Sequence, residues 1–152
     1  MFNYSEANLE SLNNDLDKTL EECKRLVENI KLSTNVNLSD FNELESTVYD
    51  VSGRIAFLGD VHPHEKIRDF GNEADSIIQN FALEIFNDDD LYKKYKEIDI
   101  SNADKESIEF HKDLGIDFKN AGHGLSDESR NRLIDIDKKL IELGISYSEN
   151  IA

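Results

Sequence analysis

Apolar residues recur at steps of three and four along nearly the whole chain, and almost nothing interrupts them. Leu9, Leu12, Leu16, Leu20, Cys23, Val27 and Ile30 form one such series, and Phe41, Leu44, Val48, Val51, Ile55 and Leu58 a second. Ile67, Phe70, Ala74, Ile77, Ile78, Phe81 and Ile85 form a third. This spacing puts each series on one face of an α-helix, whereas a strand alternates at every second residue. With 7 Gly and 1 Pro in 152 residues, breakers are scarce. The pattern predicts an all-α fold of five to six antiparallel helices in a single domain, 1–152.

Local signals set the expected boundaries. Ser5 is placed to cap the first helix and Ser39 the second, with Asp40 and Glu43 in the second helix's first turn. Thr34, Asn35 and Asn37 make a loop between them, and Gly59 suits a left-handed C-cap. Pro63 forces His62 into extended backbone and suits the first turn of the third helix. Asp88, Asp89 and Asp90 favour the positive end of a short helix bearing Leu91, Tyr92 and Tyr95. A further helix carries Ile108, His111 and Leu114, and an irregular segment containing Phe118 follows, bracketed by Gly115, Gly122 and Gly124. Ser126 caps the last helix. There Leu133, Ile136, Leu140, Leu143 and Tyr147 form the main stripe, and Ile134, Ile141 and Ile145 widen it.

A single-layer contact needs an apolar stripe about 100° wide. This one is wider, so the Ile134, Ile141 and Ile145 strip is expected to lie exposed when the chain stands alone, unless the first helix folds back over it. An apolar helix running to Ile151 points to neighbours supplied by a longer protein.

Charge narrows the partners. Seventeen Lys and Arg face 33 Asp and Glu, a net of −16. Such a surface repels phosphate, so neither nucleic acid nor an anionic membrane is an expected partner. There is no basic-then-apolar leader and no run of about 18 apolar residues for a membrane span. Cys23, the only cysteine, reads as a buried small hydrophobe. A cytoplasmic location fits these features.

Motifs for chemistry are missing. A zinc-hydrolase helix places His at i and i+4 around a Glu. The nearest approach is His64-Glu65-Lys66-Ile67-Arg68, where the second ligand position holds a guanidinium. The acidic runs from Asp88 and from Asp99 lack the glycine a calcium loop needs at its sixth position. Gly122-His123-Gly124 is too short for a phosphate loop. No catalytic, metal or cofactor residue is assigned.

One ordered series does stand out: Arg54-Ile55-Ala56-Phe57-Leu58, Val61-His62-Pro63, Ile67-Arg68, Glu73-Ala74-Asp75, Phe81, Glu84-Ile85, Asp90-Leu91-Tyr92, Asp117-Phe118-Lys119, Ala121-Gly122, Leu125-Ser126, Arg132, Leu140, Leu143, Tyr147 and Asn150. Over about 39–150 it resembles the N-terminal helical region of the thimet oligopeptidase, neurolysin and oligopeptidase A family of zinc metallopeptidases. Ile116 stands where that family often has Arg, and Ser126 where it commonly has Pro. The resemblance implies a wall of a channel in which a zinc ion, held on an HExxH helix far downstream, cuts short peptides. It makes this chain a fragment or truncated relative of a zinc metalloendopeptidase that has scaffold but no catalytic part. Its partners would be the rest of the peptidase or a protein docked on the last helix. The matched positions His62, Pro63, Arg68, Asp75, Phe81, Leu91, Tyr92, Phe118 and Gly122 carry corner and core packing. The alternative is a stand-alone acidic helical protein-interaction domain without enzymatic activity.

Overall fold

The computed structural model describes residues 8–151. It contains α1 (Leu9–Leu32), α2 (Leu38–Val51), a π-helical turn (Ser52–Ala56), α3 (Leu58–Val61), α4 (Glu65–Phe86), α5 (Asp89–Glu97), α6 (Lys105–Asn120) and α7 (Asp127–Ile151). Among the described residues there is no strand, and α3 is a single turn, so the fold is all-α as the periodicity predicts.

Several boundaries differ from the expectations, each for a local reason. Ser5 lies outside the described residues. Asn8 caps α1 by accepting the Ser11 N–H at 3.0 Å. The second helix starts one residue before Ser39, because Asn37 caps it. The Asn37 Oδ1 accepts the Ser39 N–H at 2.9 Å, and the Asp40 carboxylate accepts the Asn37 N–H at 2.9 Å. This reciprocal pair satisfies two backbone donors, more than a serine at position 39 could. Pro63 sits just before the first turn of α4, since His64 is the N-cap. Helix α6 runs straight through Gly115, so Phe118 is helical and fully buried. Only Gly122 and Gly124 take positive φ, at 95° and 98°, among the described residues.

Gly59 is not a left-handed cap. It lies buried inside α3 and serves as a contact point. A Cβ on Gly71 would stand 2.8 Å from the Gly59 Cα, and one on Gly59 would stand 3.1 Å from the Asn72 backbone N. The two glycines let α3 lie directly on α4.

The long helices α1 and α4 span two core clusters. Leu12 and Leu16 of α1 meet Val51, Ile55, Leu58, Ile67, Phe70, Ala74 and Ile78. Further along α1, Cys23, Leu26 and Ile30 meet Phe41, Leu44, Ile85, Leu91, Tyr95, Leu114 and Phe118. Val48 packs against both clusters. Cys23 is fully buried, and burial pushes its thiol up to about 11.

Helix α7 packs on α4 from outside the core. The faces are reversed relative to the expectation. Ile134, Ile141 and Ile145 are half-buried. Ile136, Leu140, Leu143 and Tyr147 are 46–66% exposed. The bundle contacts the smaller β-branched strip of α7 and leaves its leucine stripe to solvent.

Candidate functional groove

The nine matched positions divide between a corner, an aromatic core and a groove. At the corner, Pro63 holds His62 extended at φ −76° and ψ 137°. His62 is buried, and its Nδ1 accepts the His64 N–H at 3.1 Å. Arg68 reaches back from the first turns of α4 and donates to the carbonyls of His62 at 3.0 Å and Pro63 at 3.2 Å. The guanidinium thus ties off a chain reversal that lacks its own backbone partners.

Phe118 is the hub of the aromatic core. Phe86 meets it edge-on with centroids 5.4 Å apart, and Tyr92 and Tyr95 lie at 5.4 and 5.3 Å. Tyr92 stacks on His123 at 4.1 Å, and Tyr95 on His111 at 4.6 Å. Leu91 is fully buried beside them, and Phe81 packs on the same cluster, half-buried. The left-handed backbone at Gly122 swings His123 inward, where its Nε2 donates to the Phe86 carbonyl at 2.9 Å. Burial holds the His123 imidazole below the usual histidine range. Arg130 donates to the Asn87 carbonyl and to Asp89, closing off the end of α4. Sequence reasoning did not single out Arg130.

Asp75 is different: it lines open space. A cleft of about 670 Å³ lies between α7 and the π-helical turn, over α4. Its lining includes Phe57, Asn72, Asp75, Leu140, Ile141 and Ile145. It shares Ser52, Asp75 and Gln79 with a second hollow of about 270 Å³ between α2, α4 and the end of α6. That hollow has an apolar floor of Val48, Ile78, Ala82, Ile85 and Phe86. Together they form one groove along the outer face of α4.

Every charged residue lining the groove is acidic: Glu45, Asp60, Asp75, Asp117 and Asp137. Burial, with Asp117 and Asp113 nearby, pushes the Glu45 carboxyl up to about 7. Burial also raises Asp75, assisted by Asp60 and opposed by the Gln79 amide that donates to it at 2.6 Å. Asp117 is raised by burial and by Asp113. Removing a carboxylate from water disfavours its charged form, and so does a like charge beside it. Asp117 entered the sequence reading only as part of the matched series, and Glu45 escaped it, although a signal existed. Glu45 precedes Val48 and Tyr49 by three and four residues, so it is a carboxylate set in a helix's apolar face.

The residues present do not fit a zinc site. Arg68, at the second position of the near-motif, is a guanidinium bound to backbone carbonyls and cannot ligate a metal. His123 is committed to a carbonyl. Among the described residues, no group of three or more His, Cys, Asp or Glu side chains is arranged to hold a metal ion. No helix among them is long and apolar enough to cross a membrane.

The chain is similar to a thimet-like oligopeptidase. That protein, from Dictyostelium discoideum, is 26% identical over 153 residues. The match covers 94% of this chain and 22% of the relative, so the chain spans about a fifth of the oligopeptidase's length. It extends beyond 39–150 and takes in much of α1 as well. No family model matches the chain.

Proposed function

We propose that this chain is the N-terminal helical segment, or a truncated relative, of a thimet-oligopeptidase-like zinc metalloendopeptidase. Its part is scaffold and channel wall, and the zinc-binding helix lies outside it. The observation that carries this reading is the match to an oligopeptidase over 94% of the chain. The fold adds support: the corner is built from His62, Pro63 and Arg68, and the aromatic core from Leu91, Tyr92 and Phe118, all of which carry the resemblance. These residues have structural partners in the fold. Arg68 and His62 hold a turn, while Phe118, Leu91 and Tyr92 hold a core. Zinc in the complete peptidase would activate water beside a glutamate base, and the residues of this chain would shape the space in which peptides lie.

Two measurements test it. The coding sequence beyond codon 152 is read for a helix bearing His-Glu-x-x-His, and such a helix is the expected result. A frame that closes at Ala152, with no zinc-helix gene adjacent, sinks the fragment reading and favours a stand-alone interaction domain. In parallel, the 152-residue chain is incubated with a quenched fluorescent peptide, with and without a zinc chelator. Chelator-sensitive cleavage by this chain alone contradicts the scaffold role.

A further inference from the structure

The groove along α4 joins two properties. Its floor is apolar, with Val48, Ile78, Ala82 and Phe86 lying between helices that do not close over them. Its charged walls are wholly acidic, with no Lys, Arg or His among the lining residues. Glu45 and Asp117 line this space, and among the described residues only burial and neighbouring acids act on the two carboxylates, with no hydrogen-bond donor or cation on either. Elsewhere the chain does pair its acids across elements. Asp88 binds Lys31 at 2.5 Å, and Asp15 and Asp50 share Arg54. The groove acids have no such cation among the lining residues.

We propose that this groove docks a cationic amphipathic peptide segment, with large apolar side chains on the α4 floor and Lys or Arg side chains on Glu45, Asp75 and Asp117. Charge selects this occupant. A second copy of this chain would bring net charge −16 to an acidic groove, and an acidic or neutral segment would leave Glu45 and Asp117 buried and unpaired. Apolar surface lying between two helices over a third is the geometry that receives an amphipathic helix, with anchors at i, i+3 or i+4 and i+7. The combined hollow falls in the usual size range of binding clefts, roughly 300–1,000 Å³. The raised carboxyls agree with this occupant, since an arriving cation restores their charged form. The proposal does not depend on the peptidase reading, because the site lies wholly within this chain.

The test uses the 152-residue chain and a fluorescein-labelled amphipathic peptide of Leu, Ala and Lys, followed by anisotropy at pH 8 and low salt. Saturable binding is expected. It should weaken at least tenfold when the peptide's Lys are replaced by Gln, and also when its Leu are replaced by Ala. The variant Glu45→Gln, Asp75→Asn, Asp117→Asn should lose at least tenfold affinity while keeping its helical far-UV spectrum. A matched variant removes three exposed acids outside the groove, Glu10→Gln, Asp17→Asn and Glu106→Gln, and should bind as the parent does. Equal losses in the two triple variants would mean diffuse attraction to an acidic surface and would overturn the proposal. So would undiminished binding of the Gln peptide, absence of binding, or a stable dimer in light scattering that the groove variant dissolves.

Discussion

Gly59 and Gly71 meet backbone to backbone where α3 crosses α4. A Cβ on Gly71 would lie 2.8 Å from the Gly59 Cα and 3.0 Å from the Leu58 carbonyl carbon, separations that side-chain rotation cannot relieve. In an unconstrained helix Gly→Ala is stabilising by about 0.5–1 kcal/mol. Here the added methyl must push two helices apart, and overpacking of this kind costs about 1–3 kcal/mol. Gly71→Ala is therefore expected to lower the urea midpoint. Gly144→Ala in α7, where no atom of the described residues lies within 4 Å of the added carbon, is expected to raise it. A midpoint that rises in both variants would refute the crossing.

Arg130 closes the end of α4 by donating to the Asn87 carbonyl and pairing with Asp89. Its side chain is only 16% exposed. Arg130→Met keeps much of the stem packing and removes the donors, leaving a carbonyl without its partner. A loss of about 1–3 kcal/mol in chemical denaturation is expected. A change under about 0.5 kcal/mol would place the guanidinium outside the fold's stabilising contacts.

Stability should respond to pH through Glu45. Its folded carboxyl sits at about 7 against an ordinary 4.5. Below 4.5 both states are protonated and nothing is lost. As pH rises from there towards 7 the unfolded chain ionises first, so stability falls, and the loss is complete above 7. Glu45 is half-buried, and solvent screening leaves about 1 kcal/mol of this effect. Glu45→Gln should therefore stabilise the chain by about 1 kcal/mol at pH 8 and leave it unchanged at pH 4. The histidines act in the opposite sense. Burial lowers His111 and His123, so their contribution is present above about 6.5 and is lost as pH falls below it. Thermal melts of the Gln variant and the parent at both pH values separate the two.

The two faces of α7 should differ on substitution. Replacing Ile134, Ile141 and Ile145 by Ser together removes half-buried contacts with α4 and should cost several kcal/mol, at roughly 1–2 kcal/mol each for partial burial. Replacing the exposed Ile136, Leu140 and Leu143 by Ser should move stability by less than about 0.5 kcal/mol each. The reverse ranking, read from urea midpoints, would show that α7 packs through its leucine stripe.

The sequence alone determined that this chain is helical and where most of its helices lie, because an amphipathic helix writes its buried face into neighbouring residues. Leu12, Leu16, Cys23 and Ile30, Phe41 and Leu44, and Ile67, Phe70, Ala74 and Ile78 all declare themselves by spacing and all are buried. The ordered series from Arg54 to Asn150 also carried the oligopeptidase likeness. Caps were less legible, since Asn37 and Ser39 offer competing oxygens and only the reciprocal bond from Asp40 decides between them. The tertiary structure decided what spacing cannot encode. Gly59 has the composition of a cap and the position of a crossing, because the backbone that fills its missing side chain comes from Gly71, twelve residues away. Two faces of α7 are apolar, and only the packing on α4 shows which one is covered. Glu45, Asp75 and Asp117 lie on three helices and share one groove. A shared electrostatic environment depends on distance through space, and no local pattern in the chain records that distance.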